Sequence, residues 1–549
     1  MSTNPSHNIK FKKKTNATDG VCNPDDHKSW NRRSFLQALG LAGGGSMVMA
    51  NTRLSVSSPS PLSAALSASE NDNILVIVRL SGGNDGFNTI IPVYDYDSYA
   101  NRRPLIKIPP SEFINLERDM FAMPKSMNKL ENLWGDGQMK VVQGVGYEDS
   151  SLSHFSGSDI WANTNLLERE RSGFMGRYFQ ELYPDYTFNP PASPPSIQIG
   201  SIGNLIFRGP ENDFSFAFSS ASRLEQLGES EAFYDPGVDP DCTYAEKVKY
   251  LREVTNTTYN YADVISAAYN SSTDFGGYLD NSLGNQFNVI ARLIKGNLGT
   301  KVYMVTLGGF DTHSNQIQRH QELMNQFSEG LNNFYADLAA SGWDDKVLSM
   351  TISEFGRRFT ENGSLGTDHG TAAPMMFFGT GLNGNGFIGE HPGITDNDLT
   401  PGGNVVNTTD FRQVYSTVMK EWMCIDPNTV SSALLGEEFE SLDLGFSCDG
   451  LSSSNPIDEN SITHGVTYDP QNSNAPTIVI TTPRTAHFDV VLYNIIGQKV
   501  GTLRNEVLTE GTRIEIDVKE TIQKRLTTGQ YVYQILVGED SFSKPLMIS

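Results

Sequence analysis

The chain has 549 residues, 38% hydrophobic and 10% aromatic, so it exceeds one ordinary domain and carries ample material for a large core. Its formal net charge of −23 at pH 7 speaks against a nucleic-acid partner, because phosphate binding needs basic patches. The first 67 residues run the other way, with eight Lys/Arg against three Asp, and a chain processed there carries about −28.

That N-terminal stretch reads as a targeting segment. Lys12-Lys13-Lys14 and Asn31-Arg32-Arg33-Ser34-Phe35-Leu36 precede a small-residue apolar run from Leu39 to Ala50, and Ala65-Leu66-Ser67 resembles a cleavage triplet. The pattern is similar to a twin-arginine export signal. A membrane anchor needs about 20 apolar residues, and the short run is broken by Gly43-Gly44-Gly45. The expectation is a signal region over residues 1–67, the twin-arginine translocase as a partner, and no integral span in the mature protein. Export of folded protein by this route fits a metal loaded beforehand. Of the four cysteines, Cys22 lies in the signal, leaving Cys242, Cys424 and Cys448 without metal-like spacing. An exported location permits one disulfide, with Cys424–Cys448 among the pairings.

The first strand is expected over residues 74–80, a near-continuous apolar run of the kind a parallel sheet buries on both faces. It runs into Ser81-Gly82-Gly83-Asn84-Asp85-Gly86. A second short strand, Lys140–Gln143, is followed by Ser151-Leu152-Ser153-His154-Phe155, where Ser153 stands at a helix start. Residues 180–300 are rich in Pro, Asn and Ser and read as insertions over a core, with a helix around Phe287–Lys295.

Val302–His313 is the most informative stretch. A β-branched strand ends at Gly308-Gly309, and Asp311 and His313 sit just beyond. Open α/β sheets bind ligands outside the carboxyl ends of their strands. A helix comes next, with Ile317, Met324, Phe327, Leu331, Phe334 and Leu338 on one face. A strand over Lys346–Ser353 then leads to Glu354-Phe355-Gly356-Arg357-Arg358. Gly366-Thr367-Asp368-His369-Gly370 precedes a strand over Pro374–Phe378. Asp85, Asp311, His313, Glu354, Asp368 and His369 thus all fall beside strand ends. Mixed carboxylate and imidazole donors suit Zn²⁺, Mn²⁺ or Fe.

Beyond about residue 450 the composition turns to Ser, Asn and Asp, and residues 450–475 read as a linker. Alternating runs at Thr477–Thr481, Phe488–Tyr493, Arg513–Val518 and Tyr531–Val537 then read as a separate small β-sandwich over residues 476–549.

The four motifs, Leu80-Ser81-Gly82-Gly83-Asn84-Asp85-Gly86, Gly308-Gly309-Phe310-Asp311-Thr312-His313, Ser353-Glu354-Phe355-Gly356-Arg357 and Gly366-Thr367-Asp368-His369-Gly370, resemble in that order the DUF1501 family, placed with alkaline phosphatases and sulfatases. The resemblance spans roughly residues 72–445. It implies an α/β fold over residues 72–449, alkaline-phosphatase-like, with a mainly parallel central sheet flanked by helices. It implies a divalent metal, foremost Zn, with Mn, Fe, Mg or Ca as other options, and hydrolysis of phosphate or sulfate esters. On the clan's pattern Asp85 matches the first-strand metal aspartate and His369 the last metal histidine. Asp311 matches the aspartate of an Asp-x-x-x-His motif, although Asn315 stands where the histidine belongs and His313 lies only two residues on. Glu354-Phe355 takes the place of an Asp-His pair, unless Asp368-His369 is that pair. Ser153, with His154 beside it, matches the nucleophile position, and no cysteine carries a sulfatase-type modification signature. These departures leave a second option, a degenerate member of the fold that acts as a surface binding protein. The tail, through Tyr493-Asn494-Ile495-Ile496-Gly497-Gln498-Lys499-Val500 and Thr528-Gly529-Gln530-Tyr531, is similar to the type-nine secretion sorting domain of Bacteroidetes. That implies passage through the periplasm to the cell surface or medium.

Overall fold

The computed structural model describes residues 72–219, 245–448 and 463–548, apart from short breaks at 118–119, 168–169, 188, 201–202, 470–474, 483–484, 495–498, 510, 523–525, 527–528 and 538–539. The expected signal region, Cys22, Cys242, the first part of the expected linker and parts of the sorting-domain motifs lie outside the described residues.

The strands up to the middle of the chain are β1 (Ile74–Ser81), then β2 (Ile91–Pro92), β3 (Phe113–Leu116) and β4 (Phe121–Pro124), which form a small antiparallel sheet, then β5 (Met139–Gly146), β6 (Ser196–Ile199) and β7 (Ser215–Phe218). They continue with β8 (Val302–Gly308), β9 (Val347–Ile352), the ribbon of β10 (Gly356–Arg357) and β11 (His369–Gly370), β12 (Ala373–Phe378), β13 (Gly386–Ile388) and β14 (Thr409–Asp410). The helices include α1 (Gly86–Thr89), α2 (His154–Asn163), α3 (Ser282–Lys295) and α4 (Gln316–Ala339).

Nine strands make the central sheet, in the order β13-β5-β12-β9-β1-β8-β6-β7, with β14 also on β5. Eight run parallel, and β12 alone runs against both of its neighbours. The class expected, a mainly parallel sheet between helices with a small all-β unit after it, is what the structure shows. The alternation along β1 explains its unbroken apolar run. Ile74, Val76, Val78 and Leu80 enter one hydrophobic cluster with α3 and α4, while Leu75 and Ile77 enter another on the opposite face. On α4, Met324, Phe327, Leu331, Phe334 and Leu338 are buried and Ile317 is half-buried. One expectation changes. Residues 180–300 are not only insertions, because β6 and β7 extend the sheet at its edge. Each is only four residues long, too short to stand out from a polar background. Cys424 and Cys448 form a disulfide.

Strand direction decides which loops can meet. The carboxyl ends of β1, β5, β8 and β9 share one edge of the sheet. Because β12 runs the opposite way, the segment entering it, with His369, arrives at that same edge.

The tail holds β15 (Thr463–Asp469), β16 (Ala475–Thr481), β17 (Ala486–Asn494), β18 (Lys499–Leu508), β19 (Arg513–Asp517), β20 (Gly529–Val537) and β21 (Asp540–Ile548). They form two antiparallel sheets, β15-β16-β19 and β18-β17-β20-β21. Ile478, Ile480 and Ile516 of one sheet share a core with Phe488, Val490, Leu492, Tyr533 and Ile535 of the other. The reading of 450–475 as linker is corrected in its second half, since β15 pairs along its whole length with β16. β18 was also invisible in the sequence, because only Leu503 and Leu508 of its ten residues are buried.

The tail's core is drawn from its own strands, so a chain ending at Asp449 is expected to fold and to keep the urea-unfolding midpoint of the main unit, and loss of that transition would place the tail inside the main folding unit. Acid should act on the main unit through two imidazoles, the buried His320 and the half-buried His391. Burial pushes His320 and His391 down to about 4. The unfolded chain takes up protons at these positions below about 6.5, whereas the folded chain refuses them until about 4. Stability should therefore fall as pH drops from about 6.5 to about 4. In urea titrations His320→Gln should flatten that slope; an unchanged slope would remove His320 as a cause.

Candidate functional site

The edge begins with backbone geometry. Gly82 sits at φ +121°, and a Cβ there would lie 2.4 Å from the backbone nitrogen of Asp311. Glycine lets the loop after β1 touch the loop after β8. Three residues on, Asp85 caps α1, accepting from the Phe87 amide at 3.2 Å. Its side chain is fully buried against Arg103, with Nη1 at 2.5 Å from Oδ2, and Gln316 also donates to that oxygen. Burial opposes its charge, but Arg103 outweighs burial and keeps the carboxyl below its usual range. Asp85 is therefore spent on a buried ion pair and is not brought to the cleft with the other residues expected there.

The others do meet. Asp311 Oδ1 lies 3.2 Å from His313 Nε2 and 3.1 Å from His369 Nε2, and Asp311 Oδ2 lies 3.4 Å from His154 Nε2. His313 Nε2 and His369 Nε2 are 2.9 Å apart. His154, Asp311 and His369 offer ligand atoms that all lie within 4.8 Å of one another. Nearly half of the Asp311 and His313 side chains is open to solvent, so the cluster faces a cleft rather than the core.

Each histidine is turned by its other nitrogen. His154 Nδ1 faces Glu354 Oε1 at 3.1 Å, His313 Nδ1 faces Asp368 Oδ1 at 3.3 Å, and His369 Nδ1 faces the Leu152 carbonyl at 2.6 Å. An Nδ1 against a carboxylate or carbonyl oxygen carries the proton, which leaves Nε2 with its lone pair. Three lone pairs then converge on one carboxylate, two of them aimed at each other. A cation between such groups would satisfy them all. Zinc donors at about 2.0–2.1 Å from the ion lie roughly 3.3 Å apart, close to the separations here. The set whose donor atoms fit around one cation is His154, Asp311 and His369, and His313 adds its Nε2 beside Asp311 and His369. Glu354 and Asp368, read as ligands from the sequence, stand one step further out and hold the rings, an arrangement common around bound metals.

Ser153 is exposed, at the N-cap position of α2, and its hydroxyl does not cap the helix. His154, paired with Ser153 in the sequence reading, instead points its Nε2 at Asp311.

What the sequence did not reveal is Arg357. It is fully buried, and its guanidinium donates to the carbonyls of Gly82, Gly83 (2.8 Å), Phe310 (3.1 Å) and Thr367 (2.9 Å) and to Asp311 Oδ1 (2.7 Å). Partial burial works against the Asp311 charge, but Arg357 and His369 outweigh it and hold the carboxyl at about 2. Gln316, also buried, accepts from Thr312 at 3.0 Å and Thr367 at 2.6 Å. Arg357 stood inside a quoted motif, yet nothing in its spacing distinguishes a buried strut from a solvated charge.

Fold and site together define an α/β protein with a cluster of histidines and an aspartate, arranged as a candidate cation site, at the carboxyl edge of its sheet. The profile of DUF1501, a family described as protein of unknown function, matches residues 140–445, more than half of the chain, and the chain belongs to that family. No curated protein matches it. Among solved structures it is similar to a protein in the alkaline phosphatase superfamily from Vibrio parahaemolyticus, at 10% identity over 91% of this chain and 92% of that one, with a TM-score of 0.28. It is also similar to the PsFucS1 sulfatase from Pseudoalteromonas sp., at 10% identity over 85% and 89%, TM-score 0.28. The lipoteichoic acid synthase LtaP from Listeria monocytogenes matches at 10% identity over 78% and 88%, TM-score 0.28. Likeness this loose says nothing of activity or of site residues.

Replacing Arg357 by Met would strand five acceptors in a buried place. A loss of about 3–5 kcal/mol is expected, because removing one partner of a buried charge pair leaves the other uncompensated. Arg357→Lys should recover only part of it, since a point charge cannot span three segments. Chemical denaturation checks both, and a loss under about 1 kcal/mol for Arg357→Met would show that the segments hold without it.

Proposed function

We propose that this chain is an exported, metal-dependent hydrolase of phosphate or sulfate esters, and that zinc is held by His154, Asp311, His313 and His369. One observation carries the reading: three imidazoles, each with Nδ1 occupied by an oxygen, present Nε2 lone pairs around Asp311. Three nitrogens and one carboxylate favour Zn²⁺, with Mn²⁺ or Fe next, whereas Mg²⁺ and Ca²⁺ prefer oxygen donors throughout. A zinc ion held there supplies Lewis-acid polarisation of an ester oxygen.

The chain's own groups do the rest. Asp311, kept charged by Arg357, offsets the cation's charge. Glu354, Asp368 and the Leu152 carbonyl fix the ring orientations. The open side of the cleft admits a substrate, and Ser153, exposed beside His154, is the hydroxyl proposed as nucleophile. Export through the twin-arginine translocase and delivery by type-nine secretion belong to the same proposal and rest on the terminal motifs. The Cys424–Cys448 disulfide supports it, as such bonds persist in oxidising compartments.

A second reading, a surface binding protein that keeps the fold without turnover, draws on Ser153. Both nitrogens of the adjacent His154 are already engaged, one by Glu354 and one by Asp311, so His154 is not free to act as its base.

Elemental analysis of the full chain purified from an export-competent host is the test, with p-nitrophenyl phosphate and sulfate esters assayed beside it. About one zinc per chain is expected, falling to background in His369→Ala while circular dichroism is retained. Ester turnover should vanish on chelation and return with zinc. Background metal in the unaltered protein overturns the proposal, and bound zinc without turnover of any ester supports the binding reading.

A further inference from the structure

Glu354 presents a second puzzle. Its Oε1 accepts from the Gly82 amide at 2.8 Å and meets His154 Nδ1 at 3.1 Å. Its Oε2 is buried and has no hydrogen-bond partner among the protein atoms, in a side chain only 3% exposed. A buried carboxylate oxygen without a donor is costly, so such atoms are met by protein or by ordered water.

The surroundings show where the donor comes from. Glu354 lines a cavity of about 20 Å³, together with Arg79, Ser158, Trp161, Asn204 and Ile352. One buried water needs roughly 10–15 Å³, so the space is large enough for a water. The walls are polar where a water needs partners. Arg79, half-buried in β1, directs Nη2 to Ser158 Oγ at 3.1 Å and has further N–H donors. Asn204, also on the wall, accepts the Ile206 amide with Oδ1 at 3.0 Å.

We propose that Arg79 is a positioning residue for the centre, acting on His154 through an ordered water and Glu354. The water donates to Glu354 Oε2 and accepts from the Arg79 guanidinium. Ser158, on α2 one turn beyond His154, holds that guanidinium in place. With Oε2 fixed, Oε1 is aimed at His154 Nδ1, and His154 presents Nε2 to the cation. Chain order disguises this coupling: Arg79 lies inside the largely apolar β1, far in sequence from His154 and Glu354.

The inference rests on the metal reading above, and its test separates the two. Zinc affinity is measured by chelator competition on the full chain, and the visible spectrum of the Co²⁺-substituted protein reports the ligand field. Arg79→Met is expected to weaken zinc binding by about 10–100-fold, the range for lost outer-shell partners, and to alter the Co²⁺ spectrum. Arg79→Lys should restore most of both. Zinc affinity and spectrum unchanged by Arg79→Met overturn this inference alone, whereas unaltered protein that takes up no zinc overturns the metal reading and this inference with it. Should Arg79→Met fail to fold, a high-resolution crystal structure of the unaltered protein decides: a water within hydrogen-bond distance of both Glu354 Oε2 and Arg79 supports the inference, and its absence overturns it.

Discussion

The Arg357 guanidinium is the contact on which the site depends. It is a planar fork with five donors, and it finds acceptors on three chain segments that the sheet brings side by side: the loop after β1, the loop after β8 and the segment before β11. Carbonyl oxygens in turns have no regular ladder to satisfy them, and buried ones need donors. Arg357 supplies those donors, and the loops can therefore stay irregular, close together and buried. One carboxylate, Asp311, shares the fork, which is why its charge survives partial burial. A lysine has neither the planarity nor the donor count for this.

Beneath Arg357 lies a second buried pair, Arg103 with Asp85. Arg103 also donates to the carbonyls of Phe359 at 2.7 Å and Arg358 at 2.8 Å, so it ties the strand-end loop of β1 to the turn beyond β10. Gln316 joins the two layers, donating to Asp85 and accepting from Thr312 and Thr367. The two arginines thus have one role at different depths. Each takes a charge out of water and offsets that penalty with a carboxylate and several carbonyls, a trade that holds only when all partners are present.

The histidines sit on top of this scaffold and are held by contrasting means. His154 is held by a buried glutamate, His313 by a half-exposed aspartate, and His369 by a main-chain carbonyl. Phe355 supports two of them, with its ring centroid 4.9 Å from His154 and 4.3 Å from His369. Small residues serve this closeness as well: a Cβ on Gly366 would lie 2.4 Å from the His313 carbonyl carbon. A site built this way has rings fixed before any ligand arrives, and fixed donors lose less entropy on binding.

Much of this was legible in the residues alone. The two-faced apolar run of β1, the face of α4 and the alternating strands of the tail arise from periodicity, and periodicity is a local property that neighbours in sequence settle together. The glycine-ended strands likewise announced where polar groups would gather, because a strand's end and a glycine's freedom are local too. Roles were not legible. Asp85 and Asp311 look alike in sequence, each coming shortly after a pair of glycines, yet one meets Arg103 in the core and the other meets three imidazoles in a cleft. His154 and Glu354 are 200 residues apart and touch; no spacing rule reaches that far. Whether a carboxylate becomes a strut, a ring holder or a ligand depends on what faces it through space. That was decided by the strand order, by the single reversed strand β12, and by the buried arginines that draw distant loops together.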